Sequence, residues 1–308
     1  MSYNFSVDRK RLPSFIGIGG QRCGSTWLDK VLRTHPQISL APKESNFFNL
    51  KIMTNELSWY YELFETNSTK PINLFRGDIS PTYSAMYSEQ VSLIKILIPD
   101  LKIIFTIRNP VDRLSSQITR QWTYHKVDKG ASTTRNILAL LRQVDTSLSR
   151  RLTDYLRTYC IWSKFYGRDN IFIETYDNLE KDPKGFIKQM LTFLEIDSDY
   201  LFPEEFFLTR PNKSSNQAKS EIPEILRCYL AWVWLPKIRE LQDAIQFDLS
   251  AWIEEMEDIL SKMKYSYLFV FIFHQIYFYI PYKIVHTLLN PLRIRFQIIK
   301  AKRNIFSF

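Results

Sequence analysis

The sequence predicts a three-layer αβα fold with a mainly parallel central sheet. Three observations carry that expectation. Residues 15–18, 103–107 and 170–176 are short, largely apolar runs, as expected of strands buried on both faces. The runs give way to turn signals and then to apolar residues at helical spacing, the alternation of an α/β domain. The chain has 308 residues, 45% of them hydrophobic and 15% aromatic, enough for one sizeable core or one domain with an appendage.

Residues 1–13 contain no apolar core, which predicts neither a signal peptide nor a membrane anchor there and argues against an anchor-first topology. The first strand, from Phe15, breaks into Gly19 and Gly20, and after Thr26 the residues Trp27, Leu28, Val31 and Leu32 recur at helical spacing. Strand, glycine turn and helix start make a phosphate cradle, because glycine admits an anion close to the backbone and the first-turn N–H groups point at it. The pattern nearly matches the ATPase loop G-x-x-x-x-G-K-[ST], with Gly19 and Gly24 in register but Ser25 where the lysine belongs. Arg22 supplies a cation two places before Gly24. A nucleotide whose transferred group is not a phosphoryl suits such a loop better. The plainer alternative is a glycine turn capping a buried helix, with Cys23 a small filler and Trp27 part of the core.

A short strand behind a proline break is expected within residues 34–40, and Pro42 then places Lys43 and Glu44 on the loop beyond its carboxyl end, where open parallel sheets bind ligands. A helix from Trp59 to Phe64 and a strand leaving through Ser80 and Pro81 follow. Asp78 is read either as a pocket residue or as a buried partner for an arginine. The strand at 103–107 exits at Arg108; Asn109 is the expected cap and Pro110 suits the first helical turn. Asp112 falls in that positive first turn, and Ser116 lies on nearly the same face. Residues 128–135 read as a loop free to close over a site. Leu152, Tyr155, Leu156, Tyr159, Trp162, Phe165 and Tyr166 form one helical stripe, read as core. Asp182 and Pro183 start a helix that ends near Leu194.

Two motifs together resemble the sulfotransferases that use 3'-phosphoadenosine 5'-phosphosulfate (PAPS), closest to the heparan-type and bacterial members. Arg22, Cys23, Gly24, Ser25 and Thr26 resemble their phosphosulfate loop, [KR]-x-G-[ST]-T. Arg108, Asn109, Pro110, Asp112, Arg113 and Ser116 resemble their 3'-phosphate segment, R-[ND]-P-x-[DE]-R-x-x-S. Pro42, Lys43, Glu44, Phe47 and Phe48 resemble the base-bearing segment. The resemblance implies a P-loop NTPase-like sulfotransferase fold and sulfuryl transfer from PAPS to a hydroxyl or amine. It implies Glu44 as general base and Arg22 as stabiliser of developing charge. Arg22 to Trp27, with Arg108 and Ser116, would hold the cofactor; Lys43 would lie against the cofactor or acceptor, and Asp78, Tyr83 and His125 would face the acceptor. Lys213 and Lys219, on a basic loop, would cover the cofactor. No metal is implied, since a sulfuryl group carries less charge than a phosphoryl group. A P-loop nucleotide kinase and a nucleotide-triggered membrane-binding module are the alternatives.

The domain is expected to span residues 1–262, followed by an aromatic and basic extension over 263–308. That extension is shorter in continuous apolar length than a spanning helix needs. It suggests a helix lying in a membrane interface, or one packed on the domain or on a second subunit of a homodimer. The net charge of +9 favours anionic partners, here nucleotide, acidic glycan or anionic membrane rather than nucleic acid. Three scattered cysteines, Cys23, Cys160 and Cys228, favour a reducing compartment. The location expected is cytoplasmic, with attachment to the inner face of a membrane left open.

Overall fold

The computed structural model describes residues 7–65, 75–125, 134–208 and 222–306. Its centre is one five-stranded sheet: β1 (Phe15–Gly17), β2 (Ile38–Leu40), β3 (Phe75–Ile79), β4 (Lys102–Ile107) and β5 (Ile171–Thr175). The spatial order is β2-β3-β1-β4-β5, and every pair is parallel. Parallel strands need crossovers, and the rule for such connections is right-handed. The chain leaves β1 toward the β2 edge, then returns the other way through β3 to β4. That places helix Ser25–Thr34 on one face and helices Leu57–Glu65 and Ser88–Leu97 on the other. The α/β expectation is met, with the sheet wholly parallel among the described residues.

β1 and β4 are neighbours whose onward connections run in opposite directions, so the switch point lies at their carboxyl ends. The ladder outlasts β1: Ile18 N–H donates to Ile104 O at 2.9 Å, and Gly20 N–H to Thr106 O at 2.7 Å. The glycine loop is thus tied by main chain to the strand that runs directly into Arg108. Gly77 permits the tight β1–β3 contact, because a Cβ there would meet Phe15 Cζ at 2.2 Å.

The chain divides into two compact units. One comprises the described residues of Met1–Ile107, Thr158–Pro211 and Leu292–Phe308. It holds the sheet and a core in which Trp27, Leu28, Val31 and Leu32 meet Phe15, Ile79, Ile104, Phe186 and Met190. The other comprises the described residues of Arg108–Arg157 and Asn212–Pro291. It is helical and is built on Glu224–Ile245, which contacts Pro110–His125, Thr134–Val144 and Ser250–Ser261.

One expectation changes in detail. The stripe from Leu152 to Tyr166 is two helices, Ser147–Thr153 and Tyr155–Tyr166, because Asp154 leaves helical geometry at φ −78°, ψ 78°. Five of its seven residues, Leu152, Tyr155, Tyr159, Trp162 and Tyr166, are buried as read, whereas Leu156 and Phe165 are half-buried. The aromatic stretch after Lys264 runs on through His274 and Pro281 without leaving helical geometry. It continues as helix Tyr265–His274, a π-helical turn Gln275–Tyr279 and helix Ile280–Phe306. Of the segment from Tyr265 onward, residues up to Pro291 belong to the helical unit and those from Leu292 to the sheet unit.

Candidate functional site

The loop after β1 is shaped for an anion. Arg22 and Gly24 both take left-handed backbone, φ 74° and 85°. Two nearby left-handed residues curl the main chain into a concavity, and a non-glycine residue such as Arg22 adopts that conformation at a cost of about 1–2 kcal/mol. Gly24 cannot be replaced cheaply, since a Cβ would lie 2.6 Å from Leu179 Cδ2. Gly24 also caps helix Ser25–Thr34 and offers no side-chain acceptor to its first-turn N–H groups. Those donors and the helix dipole favour negative charge there.

The cation absent from the Ser25 position arrives from another segment. Lys43 Nζ lies 3.1 Å from Ser25 Oγ and 3.2 Å from Thr26 Oγ1, donating to both. Lys43 was expected against cofactor or acceptor; its ammonium sits on the glycine loop itself. Glu44, the next residue, is exposed. Cys23 is buried with its Sγ toward Gln21 O, which fits a filler.

The loop carrying Lys43 and Glu44 is fastened from below. Ser45 Oγ donates to Asp78 Oδ2 at 2.6 Å, Tyr83 OH at 2.7 Å and Tyr60 OH at 2.9 Å donate to the same oxygen, and Ser80 Oγ donates to Oδ1 at 2.9 Å. Phe48 N–H donates to Tyr83 OH, and Asn46 N–H to Ser80 Oγ. Burial pushes the Asp78 carboxyl up from its usual range, opposed by the four hydroxyl donors. Burial, and then the Asp78 charge, raises Tyr60 and Tyr83 well above the ordinary phenol range, so both remain donors.

Two placements read from the sequence are corrected here. Asp78 and Tyr83 do not rim a pocket: both are fully buried, and their polar atoms are spent on each other and on the 45–48 segment. Nor does the Trp27 indole lie open to a nucleotide base. It is 6% exposed in the core, and its Nε1–H donates to Phe206 O at 2.8 Å. Tyr60 and Ser45 were not singled out in the sequence, because a serine and a helical tyrosine carry no local sign that they share one carboxylate.

In the helical unit, Asn109 Oδ1 accepts from Val111 N–H at 3.0 Å, the expected cap, and helix Pro110–His125 begins at Pro110. Asn109 Nδ2 donates to Glu255 Oε2 at 2.8 Å. Arg108 and Ser116 are each 4% exposed, and Arg113, fully buried, donates to Thr153 Oγ1 at 2.9 Å. His125 is the last residue of that helix and its side chain lies outside what is described. Lys213, Lys219 and most of the 128–135 loop lie outside the described residues. Among the described residues no group of three or more His, Cys, Asp or Glu is placed to hold a metal ion.

The family model described as "Sulfotransferase domain" matches residues 13–223. The chain belongs to the sulfotransferase family. That match takes in the glycine loop, the Lys43–Glu44 loop and the Arg108–Ser116 segment. This sulfotransferase-family chain is similar to human heparan sulfate glucosamine 3-O-sulfotransferase 6, 26% identical over 60% of this chain and 53% of that protein. It is also similar to the membrane-associated sulfotransferase kil1 of Dictyostelium discoideum, 32% identical over 36% of this chain and 24% of that protein. The chain therefore spans about half or less of the length of these relatives. A crystal structure of a sulfotransferase from Alicyclobacillus acidocaldarius shares the fold at TM-score 0.59, with 22% identity over 78% of this chain and 98% of that one.

Proposed function

We propose that the protein transfers a sulfuryl group from PAPS to a hydroxyl or amine of an acceptor. The observation that carries this reading is the contact of Lys43 Nζ with Ser25 and Thr26, in a chain of the sulfotransferase family. It brings a cation to a loop at a helix N-terminus, and Glu44 is the residue that follows this lysine. The residues fit the donor: Arg22, Lys43, the two hydroxyls and the first-turn N–H groups suit a 5'-phosphosulfate. Arg108 and Ser116 suit a 3'-phosphate, the arginine because its planar fork bonds phosphate oxygens in pairs.

Glu44 accepts the proton of the attacking hydroxyl or amine as the acceptor atom forms its bond to sulfur. The bond between sulfur and the bridging oxygen breaks, and 3',5'-ADP leaves. Arg22 and Lys43 stabilise the negative charge that builds on the bridging and sulfonyl oxygens. Trp27 contributes its backbone N–H rather than its ring. Asp78 and Tyr83 act by holding the Glu44 loop instead of touching acceptor. The acceptor class is open: glycan, lipid or small metabolite.

The family membership favours sulfuryl transfer over the phosphoryl transfer of a nucleotide kinase. The test is turnover of labelled PAPS against an acceptor panel, with Glu44→Gln alongside. Sulfuryl transfer predicts a labelled product, and the variant losing about 100-fold or more in kcat while 3',5'-ADP binding holds. Full turnover in the variant removes Glu44 as base. Tighter binding of 5'-ADP than of 3',5'-ADP removes the PAPS reading.

A further inference from the structure

After Asp258 the chain contains eight lysines and arginines and no aspartate or glutamate, so +8 of the net +9 resides there. The first part of that segment, from Tyr265 through the π-helical turn into the last helix, shows two unlike faces. One is locked inward: Phe271 is fully buried, with ring centroids 5.1 Å from Tyr229 and 5.7 Å from Trp232. His274 Nε2 bonds Asp145 Oδ2 at 2.8 Å, and Gln275 Nε2 donates to Tyr229 OH. Arg142 and Arg150 lie over the Phe278 and Tyr279 rings at 3.8 and 3.9 Å.

The other face carries Tyr265, Phe269, Phe273, Ile276, Tyr277 and Ile280, spaced as one continuous helical stripe. All six are exposed, from 46% at Phe273 and Ile280 to 91% at Tyr265. Six exposed large apolar side chains in a row mark an interaction surface. Exposed Lys264 and Lys283 flank the stripe in sequence.

We propose that this stripe docks the protein on an anionic membrane surface, lying in the interface with its apolar side chains beneath the headgroups. Charge selects the partner: from Asp258 to Pro291 the stripe's own unit carries Lys262, Lys264 and Lys283 and no carboxylate after Asp258, which complements anionic lipid, each nearby cation adding about 1 kcal/mol. The same charge opposes a second copy seated on the stripe, since two such segments would be brought together. Tyr265 and Tyr277 on the stripe suit the headgroup level. No helix among the described residues is long and apolar enough to cross a membrane, which leaves an in-plane placement. The inference is independent of the sulfuryl-transfer reading and its test uses no turnover.

The test is cosedimentation of the full chain with vesicles of phosphatidylcholine alone and of phosphatidylcholine with phosphatidylserine. Binding to the anionic vesicles is expected, about tenfold or more above the neutral ones, and falling with salt. The triple variant Phe269→Ser, Phe273→Ser, Tyr277→Ser should weaken it about tenfold or more. It leaves Phe271, His274 and Gln275 in place, and an unchanged melting profile checks the fold. Lys264→Glu with Lys283→Glu should abolish the preference for phosphatidylserine. Failure of the full chain to bind anionic vesicles overturns the proposal, as does a triple variant that binds like the parent. So does a dimer in sedimentation velocity that the triple variant dissolves while its vesicle binding is unchanged.

Discussion

Ser45 Oγ and Asp78 Oδ2 are 2.6 Å apart, a buried bond joining the residue after Glu44 to the carboxyl end of β3. The carboxylate accepts three further hydroxyl donors, so it sets the backbone of the 45–48 segment rather than meeting a ligand. A loop that carries a proposed general base is thereby held by a side chain 33 residues away in sequence.

Asp78→Asn retains shape but swaps an oxygen acceptor for a donor, leaving hydroxyls without partners. It should destabilise the protein by about 1–3 kcal/mol in urea unfolding. It should also lower kcat more than it weakens 3',5'-ADP binding, because the Glu44 loop loosens.

The raised Asp78 carboxyl has a pH signature. A folded-state pKa above the unfolded one means that the native state binds the proton more tightly. The stabilising contribution is full below the ordinary carboxyl value of 3.8 and is lost as pH rises through the raised folded value. Unfolding free energies of the parent and Asp78→Asn, measured from pH 3 upward, should show the parent's relative stability declining over that window. A flat difference contradicts the assignment.

Gly24→Ala combines left-handed backbone at φ 85° with a 2.6 Å approach to Leu179. A loss of about 2 kcal/mol or more in thermal or denaturant unfolding is expected. Weaker 3',5'-ADP binding should accompany it, measured by calorimetry.

Lys43→Met keeps the aliphatic stem and removes the charge at Ser25 and Thr26. Affinity for 3',5'-ADP should fall about 10- to 100-fold with little change in melting temperature, since charge-assisted bonds to phosphate contribute about 1.5–3 kcal/mol.

Arg108→Ala should erase the preference for 3',5'-ADP over 5'-ADP, and Ser116→Ala should reduce it, in competition binding without magnesium. Equal loss for both nucleotides would place Arg108 away from the 3'-phosphate.

Local rules made much of this protein legible in its sequence. Buried strands announce themselves as apolar runs at 15–18 and 103–107, and the structure pairs these as β1 and β4. The Asn109 cap and the Pro110 helix start depend only on residues within one turn, and both are where the residue types put them. The left-handed turn at Gly24 is equally local.

Long-range placement was decided only by the tertiary structure. Lys43 reaches Ser25 because the chain passes from β1 to the far edge at β2 and the loop beyond β2 returns to the glycine turn. No spacing rule encodes an ammonium meeting a hydroxyl 18 residues away. Asp78 turned from candidate pocket residue to buried anchor because Tyr60, Tyr83, Ser45 and Ser80 converge on it from separate segments. Trp27 went to the core once Phe206 supplied its acceptor. The apolar stretch after Lys264 was visible as composition, but which of its faces is locked by Asp145 and which is left outward is a property of packing. Propensity and periodicity act over a few residues, whereas burial and charge pairing are settled by whichever distant segments the sheet order brings together.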